Sequence, residues 1–96
     1  MDIHFLTSGA VTESARTAAE SAVRKALAGT TASAVAVRGT LTLAPDPSLP
    51  RPALAQATAD IDGRSLRVQA AARTIEEAIT LLEDRLTIRV VSLLAG

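Results

Sequence analysis

The 96-residue chain has no cysteine, no tryptophan and no tyrosine, and only one phenylalanine, Phe5. Without cysteine, a disulfide framework and thiolate metal sites are excluded. With one aromatic side chain, the core must be built from Ala, Val, Ile and Leu. The many alanines suggest that helices lie close to a sheet. No apolar run approaches the roughly 18 residues of a membrane span, and Val90-Val91-Ser92-Leu93-Leu94 is too short. Met1-Asp2-Ile3-His4-Phe5 lacks the basic segment and apolar stretch of a signal peptide, so a soluble, cytoplasmic protein is expected. The five glycines are scattered and form no phosphate-binding loop. Neither charge is in excess: 10 Lys and Arg balance 10 Asp and Glu. Any nucleic-acid site must therefore come from uneven distribution, not total charge.

Hydrophobic residues make up 48% of the chain, which predicts a folded domain. Its length fits a single domain spanning residues 1–96. Residues 2–6 alternate, with Ile3 and Phe5 on one side and Asp2 and His4 on the other, and predict a short strand. Thr12 offers a helix N-cap, with Glu13 in the first turn. Ala15, Ala19, Ala22, Val23, Ala26 and Leu27 follow at helical spacing, and Gly29 can end the helix. A second strand is predicted from about Ser33 to Leu43, parallel to the first because a helix joins them. All four prolines lie between Pro45 and Pro52, which predicts a stiff, extended loop.

The strongest local signal is Asp62-Gly63, a two-residue type I′ hairpin turn. Pairing Ile61 with Arg64 places Ala59 opposite Leu66, Ala57 opposite Val68 and Ala55 opposite Ala70. The other face then reads Asp60–Ser65, Thr58–Arg67 and Gln56–Gln69. A slip of one residue would destroy that segregation. Thr74-Ile75-Glu76-Glu77 has the pattern of a capping box. Ile75, Ala78, Ile79, Leu82, Leu86, Val90 and Leu93 form the apolar stripe of a final helix of about 20 residues. The expected fold is α+β, in the order β-α-β-β-β-α. A four-stranded mixed sheet would carry both helices on one face, with Arg38, Thr40, Thr42, Thr58, Asp60 and Arg67 facing water on the other.

No catalytic constellation emerges. His4 lies on a polar face without an evident partner and reads as a surface residue. Asp62 is explained by its turn, and Asp60 by the polar sheet face. No metal or cofactor is implied. Basic residues are more informative. Arg24 and Lys25 close the first helix, and Arg85 and Arg89 lie one turn apart in the second. On charge pattern alone, dipole complementation and ordinary solvated faces account for it. A basic patch formed where the C-terminal halves of two adjacent helices meet is the sharper reading, and such a patch would contact phosphates largely without reading sequence. Glu83 and Asp84 dilute it. Leu81, Ile88 and Val91 fall outside the core stripe; Leu81 and Ile88 are expected to pack between the helices, the other possibility being an exposed contact surface.

Several of these segments carry a resemblance. Val11-Thr12-Glu13-Ser14-Ala15-Arg16 is similar to a Val-Thr-x-x-x-Arg helix start. Lys25 falls where a basic residue is common near that helix's end. The run ATADIDGRSLRVQAAARTIEEAITLLEDRL, residues 57–86, is similar to a strand, Gly-containing turn, strand and helix unit. Glu77-Ala78-Ile79 with Asp84-Arg85-Leu86 resembles a helix running Ala-Ile, then Asp-Lys-Leu. Together they resemble the ribosome hibernation-promoting factor family, also called the sigma-54 modulation or ribosome-associated inhibitor family, over nearly the whole chain. Departures are Leu6-Thr7-Ser8-Gly9-Ala10 in place of a polar, basic segment, Ile88 and Ser92 at turns where charge is usual, and the missing aromatic near the start of the last helix. The Ala- and Arg-rich, Lys-poor composition resembles that of proteins from GC-rich bacteria.

The resemblance implies a non-catalytic, cytoplasmic protein that binds the small ribosomal subunit near the decoding centre and messenger RNA channel and silences translation by occlusion. It implies ribosomal RNA as the partner, with no membrane and no small-molecule substrate. By position, Arg16, Lys25 and Arg85 would make the RNA contacts. Arg24 and Arg89 join them on local charge alone. Long members continue into a dimerising C-terminal domain, so the chain would be the N-terminal domain of such a protein, with self-association through the missing segments. The alternative is an interaction or dimerisation module that kept the fold and lost the RNA site.

Overall fold

The computed structural model describes residues 1–46 and 48–95, so Pro47 of the proline-rich loop and the terminal Gly96 lie outside it. The elements follow the expected order: β1 (Asp2–Ser8), α1 (Glu13–Leu27), β2 (Val35–Leu43), β3 (Ala53–Ile61), β4 (Arg64–Ala72) and α2 (Ile75–Ala95). The strands form one sheet in the order β1-β2-β3-β4. β1 runs parallel to β2, and the other neighbours are antiparallel. α1 lies over β1, α2 over β3 and β4, and the two helices pack against each other on the same sheet face.

Local chemistry explains the boundaries. The Ala15 N–H donates to Thr12 Oγ1 at 3.1 Å, so Thr12 caps α1 as expected. The Glu77 N–H donates to Thr74 Oγ1 at 3.1 Å, which completes the Thr74 half of the capping box. Gly29 does not act as a left-handed stop. α1 ends through Ala28, in right-handed conformation (φ −61°), and the Thr30 N–H donates to the Leu27 carbonyl at 3.0 Å. In the proline-rich loop, Asp46 Oδ1 accepts from the Ser48 N–H and hydroxyl at 2.9 and 2.7 Å. These bonds, the backbone one foremost, hold the Asp46 carboxyl below its usual pKa.

The hairpin adopts the expected register, Ile61 opposite Arg64 through Ala55 opposite Ala70. Asp62 and Gly63 have φ of +49° and +85°, the pair of left-handed residues that a type I′ turn needs. Asp62 has a second task. Its carboxylate accepts from the Ser33 and Ala34 N–H groups at 3.2 and 2.8 Å, and its own N–H donates to the Ala34 carbonyl at 2.9 Å. This clamp takes up the N–H groups of residues 33 and 34, and β2 starts at Val35, two residues later than the alternation suggests. Asp62→Gly should cost about 1 kcal/mol, since it keeps the backbone geometry and loses the exposed side-chain bonds. Asp62→Ala should cost about 1–2 kcal/mol more than Asp62→Gly, because alanine loses the same bonds and keeps a Cβ in the left-handed region, a strain that glycine relieves. Urea denaturation of both variants checks the ranking.

Every buried side chain among the described residues is apolar. Ile3 and Phe5 of β1, Val37 and Leu41 of β2, and Leu66 and Val68 of β4 meet Val23 and Leu27 of α1 and Leu82, Leu86 and Val90 of α2. β3 contributes only small residues apart from Ile61: Ala53, Ala55, Ala57 and Ala59 are all at most 2% exposed. Their size lets α2 sit low across the middle of the sheet. The core stripe expected for α2 holds, with Leu93 half-buried at its end.

Candidate nucleic-acid interface

The strand directions set the frame for the basic residues. β4 runs parallel to β1, because β2 is parallel to β1 and two antiparallel steps follow. α2 runs back along β4. Arg85 Nη1 donates to the Gln69 carbonyl (2.6 Å), Arg89 Nη1 donates to the Arg67 carbonyl (3.3 Å), and Arg64 Nη1 donates to the Leu93 carbonyl (3.0 Å). α1 returns antiparallel to β1, so the C-terminal halves of both helices lie at one end of the molecule. The arginines of α2 nevertheless point away from α1. They reach past the sheet to the outer edge of β4, the strand farthest from β1.

The expected residues therefore form two groups. Arg85 and Arg89 come together at the β4 edge, joined by Arg64 and Arg67, which the sequence reading did not single out. Arg85, Arg89 and Arg67 line a groove of 330 Å³ with Val68, Gln69 and Ile88. A second groove of 250 Å³ continues past Arg89 along Ser65, Leu66, Ser92 and Leu93. No acidic residue lines either one. Arg24 and Lys25 are exposed at the end of α1. They are adjacent in sequence and so point about 100° apart around the helix axis. Arg16, also on α1, is half-buried, and its guanidinium bonds to the Glu13 carboxylate one turn earlier. That bond, reinforced by the charges of Glu13 and Glu20, raises its pKa further and leaves little net positive field around it.

The apolar residues outside the core stripe depart from expectation. Ile88 and Val91 are 67% and 62% exposed, and Leu81 is 37% exposed. Leu81 and Ile88 do not pack between the helices. Ile79, Leu82, Leu86 and Val90 already fill the space against the sheet and α1, and Ile88 lies on the opposite flank with Arg85 and Arg89.

On the open sheet face, a hollow of 560 Å³ is lined by His4, Leu6, Arg38, Thr40, Gln56, Thr58 and Arg67, with Gly39 and Ala57 beneath. It brings no carboxylate to His4, whose nearest acid is Asp2, 4.0 Å away on the same exposed strand. It also offers no aromatic ring on which a base could stack. Among the described residues no group of three His, Cys, Asp or Glu is placed to hold a metal ion. No described helix is long and apolar enough to cross a membrane.

No family model and no curated protein matches the sequence. Solved structures do match. The crystal structure of the Thermus thermophilus Protein Y N-terminal domain superposes with a TM-score of 0.75 at 23% identity, over 94% of this chain and 96% of that one. This chain has the Protein Y fold. A ribosomal subunit interface protein from Coxiella burnetii matches with the same TM-score, 0.75, at 14% identity, over the full length of both chains. The hairpin register, the two caps and the alanine-lined β3 are all demands of the backbone. The exposed arginines are not.

Proposed function

We propose that this chain is a ribosome-binding domain of the hibernation-promoting factor family. It occupies the small subunit near the decoding centre and messenger RNA channel and silences translation by occlusion. The observation that carries this reading is the end-to-end correspondence of fold with the N-terminal domain of Protein Y and with a ribosomal subunit interface protein. The arginine distribution supports it. A chain of zero net charge brings Arg67, Arg85 and Arg89 to grooves that no acid lines, with Arg64 bonded to the end of α2 nearby, so a neutral protein presents a local positive field. Arg85 and Arg89 carry the RNA contacts there, and Arg24 and Lys25 add a second point of phosphate contact from α1. Arg16, tied to Glu13, contributes least.

Adding the purified chain to a bacterial cell-free translation reaction should stop reporter synthesis in a dose-dependent way. Messenger RNA and initiator transfer RNA supplied in excess beforehand should protect the ribosomes. Full reporter yield with the chain in molar excess over ribosomes would contradict the reading. A second reading, an interaction module, draws on the exposed Ile88, Val91 and Leu94. A monomer at high concentration that inhibits translation would exclude it.

A further inference from the structure

β4 is an edge strand, and its backbone groups divide by residue. In a two-residue hairpin Ile61 and Arg64 are the hydrogen-bonded pair, so Arg64, Leu66, Val68, Ala70 and Ala72 bond to β3. Ser65, Arg67, Gln69 and Ala71 direct their N–H and C=O groups outward. An open edge with alternating donors and acceptors invites another strand. This edge is different. The outward carbonyls of Arg67 and Gln69 are already occupied by the guanidinium groups of Arg89 and Arg85. Over the central stretch of the edge what remains is made of donors, the N–H groups of Arg67 and Gln69 and the free arms of the guanidinium groups, with open carbonyls only at Ser65 and Ala71 on either side.

A peptide strand needs acceptors and donors in alternation and would find half of its own N–H groups unmatched. A phosphodiester backbone offers only acceptors and carries the charge that four arginines attract. The spacing also fits a chain of phosphates. Arg85 and Arg89 are separated by about 6 Å of helical rise, and Arg67 and Gln69 by about 7 Å of strand, a repeat of the same order as phosphates along one strand. Ile88, between the two arginines on the groove wall, offers an apolar surface to a sugar.

From this we infer that the groove between α2 and the free edge of β4 binds the backbone of a single RNA strand laid along β4. Arg64 and Arg67 act as contact residues equal to Arg85 and Arg89. The inference rests on the RNA-binding reading above and extends it to a surface and a strand form.

The test uses fluorescence anisotropy with a labelled 12-nucleotide oligouridine and a duplex RNA of the same length. Three proteins are compared: the unaltered chain, Arg64→Ala/Arg67→Ala, and Arg51→Ala, which removes a charge from the proline-rich loop. Neither arginine of the double variant is buried, so the fold should persist, as circular dichroism can check. The unaltered chain should prefer the single strand. The double variant should bind it about a hundredfold more weakly, the loss expected for two charge-assisted hydrogen bonds. Its salt dependence should be shallower by about 1.4 in the log–log slope, for two lost phosphate contacts to a single strand. Arg51→Ala should change binding little. Amide signals of Arg67, Gln69 and Ala71 should shift on adding oligouridine.

Equal binding by the double variant, an equal loss in Arg51→Ala, or still amide signals would overturn the inference. So would displacement of oligouridine by a strand-forming peptide. Co-sedimentation with small subunits, run in parallel, separates the two levels. Subunit binding without oligouridine binding refutes the groove and spares the ribosomal reading; groove-dependent oligouridine binding without subunit binding does the reverse.

Discussion

Phe5→Ala should remove about 3–5 kcal/mol of stability, from a domain whose total is on the order of 5–15 kcal/mol. Phe5 is the only aromatic side chain, and it is 2% exposed. The neighbouring strand is shaped around it. Gly39 is its cross-strand partner, and a Cβ built on Gly39 would stand 2.3 Å from Phe5 Cε2 and 2.7 Å from the Gln56 carbonyl oxygen. The glycine is there because the ring needs its place, not because the backbone needs freedom. Gly39→Ala should therefore cost about 1–3 kcal/mol through overpacking. The two positions should couple. Phe5→Leu makes room for the new methyl group, so Phe5→Leu/Gly39→Ala should be more stable than the sum of its parts by about 0.5–3 kcal/mol. Urea denaturation of the four proteins measures the cycle. Strict additivity would show that ring and glycine do not share the space.

The second large effect concerns binding. Arg85→Glu/Arg89→Glu should weaken association with the small ribosomal subunit by about a hundredfold or more. Two charge-assisted contacts, each worth about 1.5–3 kcal/mol, become repulsive ones. The same change costs little stability, because both bonds to β4 are made by exposed side chains. Arg24→Glu/Lys25→Glu should give a smaller loss, since those two side chains diverge around α1. Titration of fluorescently labelled protein with small subunits gives both numbers. A larger effect from the α1 pair would move the interface to the other side of the molecule.

Most of the fold is legible in the sequence. The hairpin register could be read because Asp62-Gly63 permits only one turn length and because a single register segregates Ala57, Ala59, Leu66 and Val68 from Thr58, Asp60, Ser65 and Arg67. The caps at Thr12 and Thr74 were legible for the same reason: each is a local bond. What sequence patterns do not carry is contact at a distance. The start of β2 is displaced because Asp62, 28 residues away in the chain, takes the Ala34 N–H. Ile88 has the composition of a core residue and the angular position of a surface one, and only the placement of α2 over β3 and β4 decides between them. For the candidate site, Arg85 and Arg89 could be picked out by their spacing. Arg64 and Arg67 could not, because their value depends on β4 being the outer strand, and strand order does not follow from the pattern of any one strand.

One measurement addresses the central claim most directly: co-sedimentation of the unaltered chain with bacterial small ribosomal subunits across a salt series. The account predicts clear binding at low salt, falling linearly with the logarithm of salt concentration as counterions return to the phosphates. Absence of binding at low salt, or binding indifferent to salt, would contradict it.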